Sequence, residues 1–187
     1  TPRPVIPGPQ TALVVGPGGE EIFCDKHGRI KVQFHWDRLG AKDDKSSCWI
    51  RVSQAWAGPG WGALYLPRIG QEVVVDFLEG DVDRPVVTGS VYNGTNVPPY
   101  ALPGEKTKST LKSDSSIGGG GSNELRFEDA KGSEEVYLHA QKDRHFTPIH
   151  PTQGAVATDP ELPGVALRIP AGAKIIGWDG QPHTRVS

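Results

Sequence analysis

The chain has 187 residues, 36% of them apolar, with 20 Lys/Arg against 22 Asp/Glu for a net charge of −2. That length predicts one ordinary domain, or a small domain with an appendage. No segment is basic, which excludes the electrostatic footprint that nucleic-acid binding needs.

Glycine and proline together make up 41 of the 187 residues, about 22%, against a usual combined share of roughly 12%. Many turns and little helix are expected. Residues 1–10 contain four prolines and read as an extended lead-in. From Thr11 short strands follow one another: "TALVV", "EEIFCD", then "RIKVQFHW", whose alternation places Ile30, Val32, Phe34 and Trp36 on one face and Arg29, Lys31, Gln33 and His35 on the other. After the polar loop "DRLGAKDDKSS" come "CWIRVSQ", "ALYLP", "EVVVDF" with Val73 and Val75 inward, and "VVTGSVY". Short strands at even spacing predict a closed antiparallel barrel, and their number suits an oligonucleotide/oligosaccharide-binding (OB) fold over residues 11–93. Its expected core is Ile30, Val32, Phe34, Trp36, Val73 and Val75.

Residues 94–104 form a proline-rich connector. Beyond it, over 105–147, lie "TKSTLKSD", "NELRFEDA" and "EEVYLHAQ", with the glycines 118–121 between the first two. Leu125 and Phe127, then Val136, Leu138 and Ala140, form apolar rows opposite polar residues such as Tyr137, expected outside. So thin a set of strands buries nothing alone, and its open edges invite association. Three copies wound about one axis would enclose the rows and pair the edges. Those five apolar residues are the expected trimer interface.

At these residues, and specifically in "GEEIFCDKHGRIKVQFHWDRLGAKDDKSSCWIRVSQAWAGPGWGALYLPRIGQEVVVDFLEGDVDRPVVTGSVYNG" and "NELRFEDAKGSEEVYLHAQKD", the chain resembles the valine-glycine repeat (VgrG) spike proteins of the bacterial type VI secretion system, relatives of contractile-phage baseplate spikes. The resemblance covers about residues 10–146. It implies an all-β protein, an OB barrel followed by an intertwined trimeric β-helix, that acts as a homotrimeric needle without enzymatic activity. It further implies a needle that punctures a target membrane mechanically, carries tip or effector proteins, and leaves the bacterial cytoplasm through the contractile machine rather than by a signal peptide. No stretch matches the family's N-terminal hub, so docking on the secretion tube is not carried over. Residues 148–187 do not match the family; "GVALRI" and "AKIIGW" around "PAG" read as two strands with a turn, in a tail whose role stays open between a tip element, a receptor-binding peptide and a fused segment.

No catalytic, cofactor or metal site is expected. His35 and Asp37 share a strand face without a nucleophile nearby. Glu128, Asp129, Glu134 and Glu135 flank a turn without a cleft, and the glycines 118–121 lack the Lys-Ser/Thr of a phosphate loop. Cys24, His27, His35 and Cys48 match no zinc spacing; the two cysteines are expected as free, buried thiols. His139, His145 and His150 could meet near a threefold axis, His145 best placed. The alternative function is an OB-fold binding module for single-stranded nucleic acid or oligosaccharide, drawing on Trp36, Trp49, Trp56, Trp61 and Tyr65; core packing and loop anchoring account for these aromatics better.

Overall fold

The computed structural model describes residues 2–142 and four two-residue strands beyond them. The chain divides into two compact units, Thr1–Lys106 with Ser116–Gly118, and Thr107–Ser115 with Gly119–Ser187.

The first unit contains β1 (Gln10–Val15), β2 (Lys31–Phe34), β3 (Arg51–Val52), β4 (Glu72–Phe77) and β5 (Pro85–Val91). They lie in the order β2-β1-β4-β5-β3, antiparallel except for β3 beside β5, which run parallel with Arg51 opposite Val86. An antiparallel bridge closes the ring: Ile30 N–H donates to the Ile50 carbonyl at 2.9 Å and Ile50 N–H returns the bond at 2.8 Å. The sheet thereby becomes a barrel, removing the open edges on which a five-stranded sheet would aggregate.

Alternation fills the barrel. Ala12 and Val14, Ile30 and Val32, Ile50, Val73, Val75 and Phe77, and Val87 form the buried core. Of the residues expected there, Ile30, Val32, Val73 and Val75 are fully enclosed, and Phe34 packs against the core partly buried. Trp36 does not belong to it. It is 61% exposed, because β2 ends at Phe34 and Asp37 N–H turns back to the Phe34 carbonyl, so the period of two lapses. Its indole instead stacks on Phe34 at 5.1 Å.

Gln33, expected outside, is only 4% exposed. Its carboxamide is fully engaged: Nε2 donates to the Asp37 carbonyl at 2.9 Å and Oε1 accepts from Lys42 N–H at 3.2 Å. A polar group is buried at little cost when paired in this way. The loop sits so close that a Cβ at Gly40 would fall 2.1 Å from Gln33 Nε2.

Two expected strands are loops. In "EEIFCD" the Asp25 carboxylate organises a turn instead, accepting the N–H groups of His27 and Arg29 at 2.9 and 3.0 Å and the Arg29 Nε at 2.7 Å. In "ALYLP" side-chain bonds from Gln54 take the place of a ladder. The lead-in is pinned to the barrel: Val5 bridges Asp81, Ile6 N–H donates to Gly80 at 2.9 Å, and Arg3 reaches Asp81 at 2.9 Å. Cys24 and Cys48 are both free, Cys24 partly buried against the core and Cys48 exposed rather than buried.

Partial desolvation raises the Asp25 pKa, and the hydrogen bonds from Arg29 and His27 outweigh it, holding the carboxyl at about 2 against an ordinary 3.8. A depressed carboxylate stabilises the fold above its unfolded value, and that stabilisation is lost as pH falls through the folded one. The expected result is a loss of stability between about pH 4 and pH 2 that Asp25→Asn lacks, read as the difference between the two chains in denaturant melts across that range. Parallel curves for the two proteins would show that the turn contributes nothing.

The second unit begins with β6 (Lys108–Lys112), β7 (Glu124–Glu128) and β8 (Glu135–His139), an antiparallel meander in the order β6-β7-β8. Gly118, Gly119 and Gly120 all have positive φ, so the glycine run supplies backbone freedom at the bend between β6 and β7. In the tail, β9 (Ala157–Thr158) pairs with β10 (Ala166–Leu167), and β11 (Ile175–Ile176) with β12 (Pro182–His183). Among the described residues the two strands expected around "PAG" lie in separate two-stranded sheets.

Candidate assembly surface

Register decides what the meander presents. Leu111 lies opposite Leu125, which lies opposite Leu138; Ser109, Phe127 and Val136 form the next rank. Side chains in register share a face, so Leu111, Leu125, Phe127, Val136 and Leu138 make one contiguous apolar patch. In a single chain it stands open: Leu111 is 59% exposed, Val136 70%, Leu138 49% and Phe127 43%, with Leu125 half-buried. Ala140 follows directly after β8, also half-buried.

The opposite face is the covered one. Glu124 is only 7% exposed, accepting from the Thr110 hydroxyl at 2.9 Å beside the Lys112 ammonium at 3.7 Å. The Arg126 guanidinium bonds Glu135 at 2.5 Å and lies 4.3 Å over the Tyr137 ring. Tyr137 stacks on His139, whose Nδ1 is 3.0 Å from the Ser122 carbonyl oxygen. Tyr137, expected outside, is therefore half-buried in a cation–π and stacking column. The sheet engages most of its polar face with its own side chains and, among the described residues, leaves its apolar face without cover.

Among the acidic residues around the β7–β8 turn, Glu128 and Glu135 are cross-strand partners, but each carboxylate is held by a group of its own. Hydrogen bonds from the Thr107 hydroxyl and Ala130 N–H hold Glu128 below the usual carboxylate range, Glu134 accepts Gly132 N–H at 2.8 Å, and Glu135 is taken by Arg126. In the barrel, His35 is mostly exposed with Nε2 3.6 Å from Glu72 Oε1, while Asp37 Oδ1 caps Leu39 and Gly40 N–H at 3.0 Å each. Base and carboxylate are thus employed separately. Among the described residues no three His, Cys, Asp or Glu side chains gather as a metal site; His145 and His150 lie outside the described residues. Of the aromatics, Trp49 packs against Phe23 at 5.0 Å with Lys31 Nζ 5.0 Å above it, but Trp36, Trp56, Trp61 and Tyr65 are each more than half exposed rather than packed in a core.

Sequence reasoning missed Leu111 on the assembly surface. It is one apolar residue among Ser, Thr and Lys in "TKSTLKSD", and only register against Leu125 places it there.

Residues 24–92 match the family described as the type VI secretion system/phage-baseplate injector OB domain, and residues 109–160 match the bacteriophage T4 gp5 C-terminal trimerisation domain. The "Type VI secretion system spike protein VgrG1a" of Pseudomonas aeruginosa is 59% identical over 146 residues. The chain belongs to the VgrG spike family. The alignment with VgrG1a takes in 77% of this chain and 23% of that relative. VgrG4b of the same organism is 58% identical over 142 residues, 76% of this chain and 18% of its own length. The "Actin cross-linking toxin VgrG1" of Vibrio cholerae is 56% identical over 142 residues, 76% of this chain and 13% of its own length. The chain thus spans less than a quarter of each of these curated VgrG relatives. Match and geometry coincide: the open apolar patch falls inside the stretch that resembles a trimerisation domain.

Proposed function

We propose that this piece of a VgrG-family spike is a structural, non-enzymatic element whose β6–β8 sheet joins two further copies to form a homotrimeric needle, with Leu125, Phe127, Val136, Leu138 and Ala140, and Leu111 beside them, in the shared interior. The observation that carries it is the inverted exposure of the sheet, polar face covered and apolar face open. An open patch of this kind marks an association surface, and the match to a trimerisation domain supports the number three. The intertwined β-helix closes both free edges, β6 and β8, by pairing each with a neighbouring copy.

In the type VI machine such a needle punctures the target membrane by its shape and carries tip or effector proteins out of the bacterial cytoplasm into the target cell. The names of the relatives support a type VI secretion spike, and puncture and cargo are what the family resemblance implies for such a spike; the cross-linking activity named for the Vibrio cholerae relative is not transferred, since the chain covers only 13% of it.

Sedimentation tests the assembly. The full chain is expected at three times 20.1 kDa, about 60 kDa, and removal of residues 107–187 should leave a folded, monomeric barrel, because the core of the first unit is complete without them. A truncated chain that still sediments as a trimer would assign assembly to the barrel, and a monomeric full chain would end the proposal.

A further inference from the structure

The barrel presents a second apolar surface, different in construction. Between Arg51 and Arg68 the chain has no charged residue, and this stretch displays Trp56 at 65% exposure, Trp61 at 55%, Leu64 at 70% and Tyr65 at 59%. It is a rigid hairpin. Ala57 bridges Gly62, Gly58 N–H donates to the Trp61 carbonyl and Ala63 N–H to the Trp56 carbonyl, each at 2.9 Å. The indoles of Trp56 and Trp61 meet edge to face at 5.1 Å. The Gln54 carboxamide fixes the return strand, accepting Tyr65 N–H at 2.9 Å and donating to the Tyr65 carbonyl at 3.0 Å. Two glycines make the shape attainable: a Cβ at Gly58 would lie 2.4 Å from the Trp61 ring, and at Gly62, with φ of +134°, 2.4 Å from the Trp56 carbonyl oxygen. Rings held in advance lose little freedom on binding, and exposed, preorganised Trp and Tyr are the residues that anchor protein interfaces.

We infer that this hairpin is a contact between barrels of neighbouring copies of the chain. The inference rests on the trimer proposed above. A single-stranded nucleic acid would need cations interleaved with the rings, and the hairpin has none. A sugar would need free polar side chains beside them, whereas the Gln54 carboxamide is already spent on Tyr65. Contact between identical copies has a different requirement: where a threefold axis brings the same surface of three chains together, like charges would repel. In a chain that is 22% charged, an uncharged stretch of this length meets it. Three barrels tethered to one assembly through residues 92–106 also encounter each other at an effective concentration on the order of millimolar, so that a weak contact is occupied.

Hydroxyl-radical footprinting of the full chain, read residue by residue in a mass spectrometer, tests this. Trp56, Trp61 and Tyr65 are expected to oxidise at least about fivefold more slowly in the wild-type oligomer than in the Leu138→Asp chain, because a packed contact excludes water from its anchors. Leu39, 98% exposed on another loop, serves as the reference and oxidises equally in both. Equal oxidation of the hairpin in an assembly of trimer mass overturns the barrel contact and leaves the needle standing; a monomeric wild-type chain overturns both. Trp61→Arg gives a comparison that does not depend on dissociation: three like charges at the contact should raise Tyr65 oxidation by about the same factor, and an unchanged rate overturns the contact.

Discussion

Leu138→Asp should convert the oligomer to monomers at any ordinary working concentration. Leu138 lies on the edge strand β8, opposite Leu125 and in the same rank of the open patch as Leu111. In the proposed needle the substitution sets one carboxylate per copy into a shared apolar interior, and a buried, unpaired charge costs several kcal/mol before repulsion between copies is counted. At about 1.4 kcal/mol per tenfold, even 4 kcal/mol weakens association by roughly a thousandfold. The fold of the single chain should survive, because the residue is already 49% exposed there. Burial also raises a carboxyl pKa, so acidification towards pH 4 should recover part of the assembly. Native mass spectrometry reads the outcome, with Lys131→Glu on the exposed β7–β8 turn as the silent control. Tyr137→Asp is expected to behave differently: it removes the ring beneath Arg126 and loosens the sheet of each chain, lowering thermal stability while adding no charge to the shared interior. A Leu138→Asp chain that stays trimeric beside a dissociated Tyr137→Asp chain would mean that the polar face is the one turned inward.

Ile50→Ala should cost the barrel about 2–5 kcal/mol, the range for truncating a fully buried aliphatic side chain and leaving a cavity. Ile50 is 1% exposed and sits at the bridge to Ile30. It is the point where the sheet closes on itself, so neighbouring backbone is held from two sides and has little room to collapse into the space. Denaturant unfolding followed by tryptophan fluorescence measures the loss, and Leu39→Ala, at a residue 98% exposed, should change stability by less than about 0.5 kcal/mol. A loss below about 1 kcal/mol at Ile50 would indicate that the seam relaxes and that closure is not a rigid feature of this barrel.

Much of the core was legible because strands report their inward face through a period of two. Ile30 and Val32, then Val73 and Val75, alternate without interruption and are fully enclosed. Legibility ended where the strand ended. Nothing in "QFHWD" announces that Phe34 is the last residue of β2, where the turn from Asp37 to Phe34 carries Trp36 out of the inward row, and nothing in it shows that the loop after the strand folds back over Gln33 and buries its outward side chain. Leu111 was hidden for another reason: its strand carries a single apolar residue and no pattern, and it joins the patch only through pairing with β7.

Local pattern alone dictates an all-β chain, its barrel strands with their inward rows, and a second group of strands with an apolar row too thin to bury itself. These are local properties, set by alternation and by turn residues within a few positions of one another. How the barrel closes, through the parallel pairing of β3 with β5 and the Ile30–Ile50 seam, and which face of the β6–β8 sheet is covered emerge only on folding. Both depend on pairings between residues distant in the chain, whose register no local pattern encodes. The polar face is covered because Arg126, Tyr137, Glu135 and Glu124 find partners across strands, whereas the apolar row has no complementary surface within the described residues of its own chain and stays open to other copies.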